Sequence, residues 1–181
     1  MRASSPGPVD AAPATIRAAQ QLDAELIARI YAPYVLETAI SFELEPPSAE
    51  EIVRRMRAHG PGYPWLVAEL EGTTCGYAYA SPFRARPAYR FSVEVTVYVD
   101  ASKRGHGIGR ALYAALLPDL AARGYARAIA GITLPNAASV ALHEAMGFEP
   151  AGVFRRVGYK RVSESDGDAW HDVGFWQRDL S

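Results

Sequence analysis

Seven consecutive residues, Arg104-Gly105-His106-Gly107-Ile108-Gly109-Arg110, combine three glycines with two arginines and suit the binding of an anion. Glycine brings backbone N–H groups close to phosphate oxygens with no Cβ in the way. A helix opening from such a turn adds unpaired N–H groups and the positive end of its dipole. Two nucleotide motifs are excluded by spacing. There is no G-x-x-x-x-G-K-[ST], and Gly105-x-Gly107 is followed by Arg110 where a dinucleotide fingerprint needs glycine. Taken alone, the turn is either an anion cradle or a glycine-rich connection without chemistry.

A second chemical signal lies just upstream. In the run 93–99, Val93, Val95, Val97 and Val99 alternate with Glu94, Thr96 and Tyr98, so a strand puts the last three on one face. A carboxylate in mid-strand is unexpected on a covered face, because a buried charge is costly without a partner. Glu94 is therefore a base in a wet cleft, a solvated strand residue, or an ion-pair partner of Arg86 or Arg90. Before it, Phe83-Arg84-Ala85-Arg86-Pro87-Ala88-Tyr89-Arg90 interleaves three arginines with two aromatics. Such a loop suits a carboxylate or phosphinate ligand, and a solvated surface loop fits it equally. His59, His106, His143 and His171 are widely separated, none in an H-E-x-x-H pair, and Cys75 is the single cysteine. No metal site and no intrachain disulfide are expected.

The elements that would position these residues follow from periodicity. A short strand at 14–18 precedes a helix carrying Leu22, Leu26, Ile27 and Ile30 toward Leu36. Ser41–Glu45 is predicted extended, and Ser48 caps a second helix with Ile52, Val53 and Met56. Residues 65–70 and 76–80 flank a turn at Glu71-Gly72, a hairpin pattern. Tyr89–Val99 is the longest strand signal. The glycine turn then opens a helix from about 107 to 123, in which Pro118 is expected to produce a kink. A buried strand at 126–133, a helix begun by Pro135 and Asn136 and closed by Gly147, and strands near 151–159 and 172–179 complete the pattern. Strands alternating with helices imply an α/β or α+β class.

The 181 residues suit one domain. Nineteen basic against twenty acidic residues, a net charge of -1, give no reason to expect nucleic acid or a membrane surface as partner. Residues 1–14 are rich in Ala, Pro and Ser and lack the apolar run of about 7 to 15 residues of a signal peptide. They are expected to be a disordered leader ahead of a single domain at 15–181, and the composition suits a cytoplasmic protein.

Together the motifs resemble a known family. Arg104, Gly107 and Gly109 match the R/Q-x-x-G-x-G/A signature of the GNAT superfamily of N-acetyltransferases. Leu134-Pro135-Asn136 and Leu142-His143-Glu144-Ala145-Met146-Gly147-Phe148 are similar to its Asn-containing helix followed by Gly-Phe. Tyr63-Pro64-Trp65-Leu66-Val67-Ala68-Glu69, Thr96-Val97-Tyr98-Val99 and the ending Trp170-His171-Asp172-Val173-Gly174-Phe175-Trp176-Gln177 resemble the phosphinothricin and methionine sulfoximine N-acetyltransferase subfamily.

The resemblance implies a mixed, mostly antiparallel central sheet flanked by helices, and acetyl-CoA as cosubstrate without a metal. It implies a cofactor site of Val97, Tyr98, Val99, the turn Arg104, Gly105, His106, Gly107, Ile108, Gly109, Arg110, and Asn136. Glu94 becomes the general base, and the backbone of Val97–Val99 polarises the acetyl carbonyl. Phe42, Arg86, Pro87, Ala88, Tyr89, Glu94, Val95 and Thr96 become the substrate wall. Many members carry a tyrosine acid where this chain has His143, so that either His143 is the proton donor to the CoA thiolate or it is a packed helix-face histidine, with Tyr98 and Tyr113 as further candidates for the donor. The implied reaction is acetylation of a small amino-acid-like molecule such as phosphinothricin, methionine sulfoximine or methionine sulfone, by a cytoplasmic homodimer; the C-terminal Phe175 and Trp176 suit an interface or the monomer core equally. Acetylation of peptide or protein N-termini, and a noncatalytic acyl-CoA sensor, are the alternatives.

Overall fold

The computed structural model describes residues 14–161 and 167–181. The expected leader therefore lies, except for Ala14, outside the described residues. In chain order the elements are β1 (Thr15–Ala18), α1 (Ala24–Glu37), α2 (Ala49–Ala58), β2 (Trp65–Leu70), β3 (Thr73–Pro82), β4 (Ser92–Val99), α3 (Ile108–Ala122), β5 (Arg127–Leu134), α4 (Ala137–Ala145), β6 (Glu149–Arg161) and β7 (Asp168–Asp179). The sheet order is β1-β2-β3-β4-β5-β7-β6. Every neighbouring pair is antiparallel except β4 and β5. This is the mixed, mostly antiparallel sheet with flanking helices that the sequence predicts.

Local chemistry explains the boundaries. Ser48 caps α2 by accepting the Glu51 N–H, and Asn136 caps α4 by accepting the Ser139 N–H at 3.1 Å. Glu71 and Gly72 both take positive φ, as the two-residue turn of the β2–β3 hairpin requires. Buried side chains of α3 (Leu112, Tyr113, Leu116, Leu120) pack with Val93, Val95, Ala128 and Ala130 on one face of the sheet. Ile27, Ile30, Val35 and Ile52 of α1 and α2 cover Val67 and Tyr77 on the other.

Three local expectations change. Among the described residues Ser41–Glu45 pairs with no strand and is an irregular segment. The strand predicted from Tyr89 starts at Ser92, because Pro87 fixes φ and the chain makes a short 3₁₀ turn over Pro87–Tyr89. The longest strands are β6 and β7, with 13 and 12 residues, since their antiparallel pairing runs out to Arg161↔Asp168, past the apolar pattern. Helix α3 continues past Pro118 to Ala122 with its buried face intact.

Where the two parallel strands meet, the sheet opens. β4 and β5 pair over only three positions, Ser92↔Arg127, Val93↔Ala128 and Glu94↔Ile129. Beyond Glu94 they separate, and the gap leads toward the turn at 103–110.

Candidate active site

The gap between β4 and β5 holds two joined cavities. One, about 430 Å³, is lined by Glu94–Tyr98 of β4, Gly131–Thr133 of β5, the segment Ile40–Glu43, and Asn136 and His143 among others. The other, about 360 Å³, is lined by Val97–Val99, the turn residues Lys103, Arg104, Gly105, Gly107, Ile108, Gly109 and Arg110, and by Tyr34 and Leu142. Ile40, Val97, Tyr98, Asn136 and Ser139 border both, so one cleft runs from the glycine turn to Glu94.

The turn end has the geometry of an anion cradle. Gly105 and Gly107 adopt φ of +83° and +72°, and a Cβ built on either would meet nothing within 4 Å. The chain therefore takes left-handed backbone here beside open space, a conformation that favours glycine. Helix α3 starts at Ile108, with Ala111 N–H donating to Gly107 O as the first helical bond. The N–H groups ahead of it have no intrahelical partner and offer themselves to a phosphate. Arg104 lies over the Tyr34 ring, 5.3 Å from its centroid, which holds the guanidinium at the cleft rim. These residues fit a pyrophosphate group. His106 does not line the cleft. Its Nδ1 lies 3.0 Å from Arg104 O, on the exposed outside of the turn.

Strand β4 presents backbone groups to the gap in alternation. Asp100 N–H donates to Cys75 O, in register with the β3–β4 ladder, so the even-numbered residues of β4 bond to β3. The N–H and C=O groups of Val95, Val97 and Val99 face the opposite side, where β5 has moved away. Val97 and Val99 thus offer backbone donors to the cleft, whereas the Tyr98 N–H belongs to the ladder. The Tyr98 side chain instead forms part of the wall, edge-on to Tyr31 and Tyr34 at 4.8 Å from each.

Glu94 stands at the floor of the gap. Its Oε1 would be 3.7 Å from a Cβ on Gly131 of the facing strand. Among the described residues it forms no salt bridge, with Arg86 and Arg90 no exceptions. Burial pushes its carboxyl above the usual range, and the positive charge of Arg84 pulls it partly back. This is the ionisation state of a carboxylate made more basic by its surroundings.

His143 also lines the cleft, but it is buried and neutral. Ser139 O lies 2.7 Å from its Nδ1, so Nδ1 carries the proton, and Nε2 accepts from the Tyr113 hydroxyl at 2.9 Å. Desolvation lowers its pKa. In this arrangement Nε2 has no proton to release into the cleft. The substrate loop differs from the expectation. Arg86, Pro87 and Ala88 are exposed and line neither cavity. It is Phe83, Arg84 and Tyr89 that border a third cavity of about 350 Å³, which shares Phe175 with the cleft. Phe42, Val95 and Thr96 line the larger cavity. Trp176 is core, whereas Phe175 packs on Phe154.

Several lining residues were not anticipated. Lys103 and Tyr34 carry no motif, and Leu142 stands in the helix motif that ends in Gly-Phe without a role assigned to it. Gly131 was legible in principle, since an isolated glycine inside a strand marks a close approach.

Comparison with known proteins agrees with this geometry. The model of the acetyltransferase (GNAT) domain matches residues 16–167. The phosphinothricin N-acetyltransferase of Streptomyces viridochromogenes is 42% identical over 168 residues, 93% of this chain and 88% of that protein. The L-methionine sulfoximine/L-methionine sulfone acetyltransferase of Salmonella typhimurium is 34% identical, over 92% and 94% of the two chains. The crystal structure of a GNAT superfamily phosphinothricin acetyltransferase from Sinorhizobium meliloti in complex with AcCoA superposes with a TM-score of 0.86 at 41% identity, covering 93% of this chain and 89% of that one. A cleft between splayed parallel strands, a glycine cradle at one end and a desolvated carboxylate at the other therefore have a family: the chain belongs to the GNAT acetyltransferases.

Proposed function

We propose that this enzyme transfers the acetyl group of acetyl-CoA to the α-amino group of a small amino-acid analogue such as phosphinothricin, methionine sulfoximine or methionine sulfone. The observation that carries the reading is Glu94, a desolvated carboxylate without an ion-pair partner among the described residues, in line with the anion cradle along one cleft. The names of the relatives support the substrate class.

Bound acetyl-CoA supplies an electrophilic thioester carbonyl. The residues 104–110 would hold its pyrophosphate, and Asn136 borders the path between the two cavities. Val97 and Val99 direct backbone N–H groups toward the gap, where they can stabilise negative charge developing on the acetyl oxygen. Only an unprotonated amine can attack. Glu94, its basicity raised by burial, accepts the ammonium proton through water, because an unperturbed carboxylate near 4.3 is too weak a base for the task. Arg84, with Phe83 and Tyr89, supplies a cationic, aromatic wall for the anionic end of the substrate. His143 serves this reading as a packed member of the wall, and water entering the open cleft protonates the thiolate.

Two further proposals concern the setting. Edge strand β6 exposes Val153, Phe154, Val157 and Tyr159, and β7 exposes Trp170, apolar surface at this edge that supports a homodimer formed there. The single cysteine, Cys75, is buried and reduced, which supports a cytoplasmic enzyme. Among the described residues no helix is long and apolar enough to cross a membrane.

Release of free thiol from acetyl-CoA, followed against phosphinothricin, methionine sulfoximine, methionine sulfone, ordinary amino acids and short peptides, tests the reading. Saturable release with one of the analogues is expected. Release with peptides alone would move the substrate to protein N-termini, and acetyl-CoA binding without release would leave a sensor.

A further inference from the structure

Edge strand β6 is exposed at all but two of its positions, and those two, Gly158 and Lys160, both face the cleft-lining segment that follows α1. Spaced i and i+2, they share one face of the strand. Lys160 Nζ donates to Val35 O and to Ser41 O, each at 2.6 Å. Val35 lies in the last turn of α1, where carbonyls lack helical partners and the dipole favours a cation. Ser41 lies on the irregular segment beyond. One ammonium group thus ties the end of a helix to the loop leaving it. Gly158 receives the next residue of that loop: a Cβ there would fall 2.0 to 2.5 Å from three ring carbons of Phe42, so the ring rests on bare backbone.

The opposite side of the segment is fixed to the α1–α2 layer. The Tyr31 hydroxyl is 2.6 Å from Ser41 Oγ and donates to Glu43 at 2.9 Å, while Arg55 grips the Glu43 carboxylate at 2.7 and 2.9 Å. Held from both sides, Ile40, Ser41, Phe42 and Glu43 form one wall of the larger cavity, facing Glu94 and Thr96. A buried ammonium is costly to desolvate, and among the described residues Lys160 forms no salt bridge that would offset that cost. An apolar side chain would complete the packing of β6 more cheaply, but it would leave two buried carbonyls unsatisfied and the segment untied.

We infer that Lys160 and Gly158 are positioning residues which set the shape of the amine end of the cleft by seating residues 38–44 against β6. They touch no reacting atom and act through Ser41 and Phe42. The acetyl-donor end is built chiefly from β4, the glycine turn and α4, and of the segment 38–44 only Ile40 borders it. The inference rests on the proposed reading of the larger cavity as the amine end.

The test separates the two ends. In Lys160→Met, kcat/KM for the amine is expected to fall about tenfold to a hundredfold, chiefly through KM, as for misplacement of a binding wall, while KM for acetyl-CoA stays nearly constant. Amide exchange across 38–44 is expected to accelerate in the same variant with or without substrate. Gly158→Ala is expected to impair amine use in the native background and to add nothing once Phe42→Ala has removed the ring, so the two substitutions are non-additive. An unchanged amine KM with unchanged exchange at 38–44 would overturn the inference. So would an equal rise in KM for acetyl-CoA, or full additivity of Gly158→Ala and Phe42→Ala. If Lys160→Met fails to fold, the Gly158/Phe42 cycle carries the test alone. If the native enzyme acetylates none of the amines, the functional reading fails, and exchange at 38–44 in Lys160→Met still decides whether the anchor exists.

Discussion

Two groups of carboxylates sit at opposite places in this sheet and live by opposite rules. At its first edge, Arg17 binds Asp23 through two hydrogen bonds of 2.7 Å and Glu69 through bonds of 3.0 and 2.6 Å. Asp23 also accepts the Gln20 N–H, which starts the turn leading into α1. Its hydrogen bonds to Arg17 hold the carboxyl below the usual range, and burial opposes them. In the central gap, Glu94 has neither a cation in contact nor a capping role, and burial drives its carboxyl upward. A charge that is paired serves the fold, whereas one held partly dry without a partner weakens the fold, which fits the catalytic role proposed for Glu94.

Removing each charge should therefore have opposite consequences. Glu94→Gln carries the largest expected effect, a loss of about 10²- to 10⁴-fold in kcat, the usual contribution of a general base. Acetyl-CoA binding should persist. Because the folded pKa of Glu94 lies above its unfolded value, the native state binds more protons between those two values, and ionisation of Glu94 costs stability as pH rises through that window. At neutral pH the glutamine variant is thus expected to melt at a higher temperature than the native enzyme. An active or a less stable variant would break the contrast. Asp23→Ala should do the reverse, costing about 1 to 3 kcal/mol of unfolding free energy and leaving kcat unchanged. The sign of its pH dependence is also reversed. A lowered folded pKa gives stability that is complete above the unfolded value and lost as pH falls through the folded one, so the Asp23 variant and the native protein should converge in acid.

The sequence reveals one side of this contrast better than the other. The valine alternation exposes the face on which Glu94 lies, and the glycines at 105 and 107 mark the cradle, because strand period and left-handed backbone are local properties. The pairing of Arg17 with Asp23 and Glu69 joins residues up to 52 positions apart, and no local pattern announces it. The same limit explains Arg84. The loop's three arginines are equivalent in sequence, and only the 3₁₀ turn at Pro87–Tyr89 decides that Arg84 borders a cavity while Arg86 points elsewhere. For His143 the sequence leaves a proton donor and a packed helix-face histidine both open for a related reason, since the hydroxyl that meets its Nε2 comes from Tyr113, 30 positions away.

His143 sharpens the comparison, because it is a paired group inside the cleft. If pairing and not location decides, His143→Gln should reduce stability by about 1 to 3 kcal/mol, the cost of a buried hydrogen-bonding group left unmatched, with kcat changing less than about tenfold. Desolvation lowers the folded pKa of His143, so the unfolded chain takes up the proton first as pH falls toward and below about 6.5. The native protein should lose stability on acidification through that range, and the glutamine variant should lose less. A kcat loss as large as that of Glu94→Gln, without loss of stability, would return His143 to the role of proton donor.

The smallest effect should come from Arg84, which adjusts the unpaired carboxylate without contacting it. Its charge opposes the upward push of burial on Glu94. Arg84→Ala removes that opposition, so the acid limb of kcat, which reports the base in the bound complex, should move to higher pH. Above the limb, where Glu94 is ionised in both proteins, kcat should be nearly the same, and a somewhat stronger base could even raise it slightly. Any rise in KM for the amine would separately report loss of the cationic wall near Phe83 and Tyr89. Arg84→Lys keeps the charge and should leave the limb near its native position, which separates electrostatics from packing. A limb unmoved by Arg84→Ala would mean that solvent screens this charge across the cleft, and burial alone would then account for the basicity of Glu94.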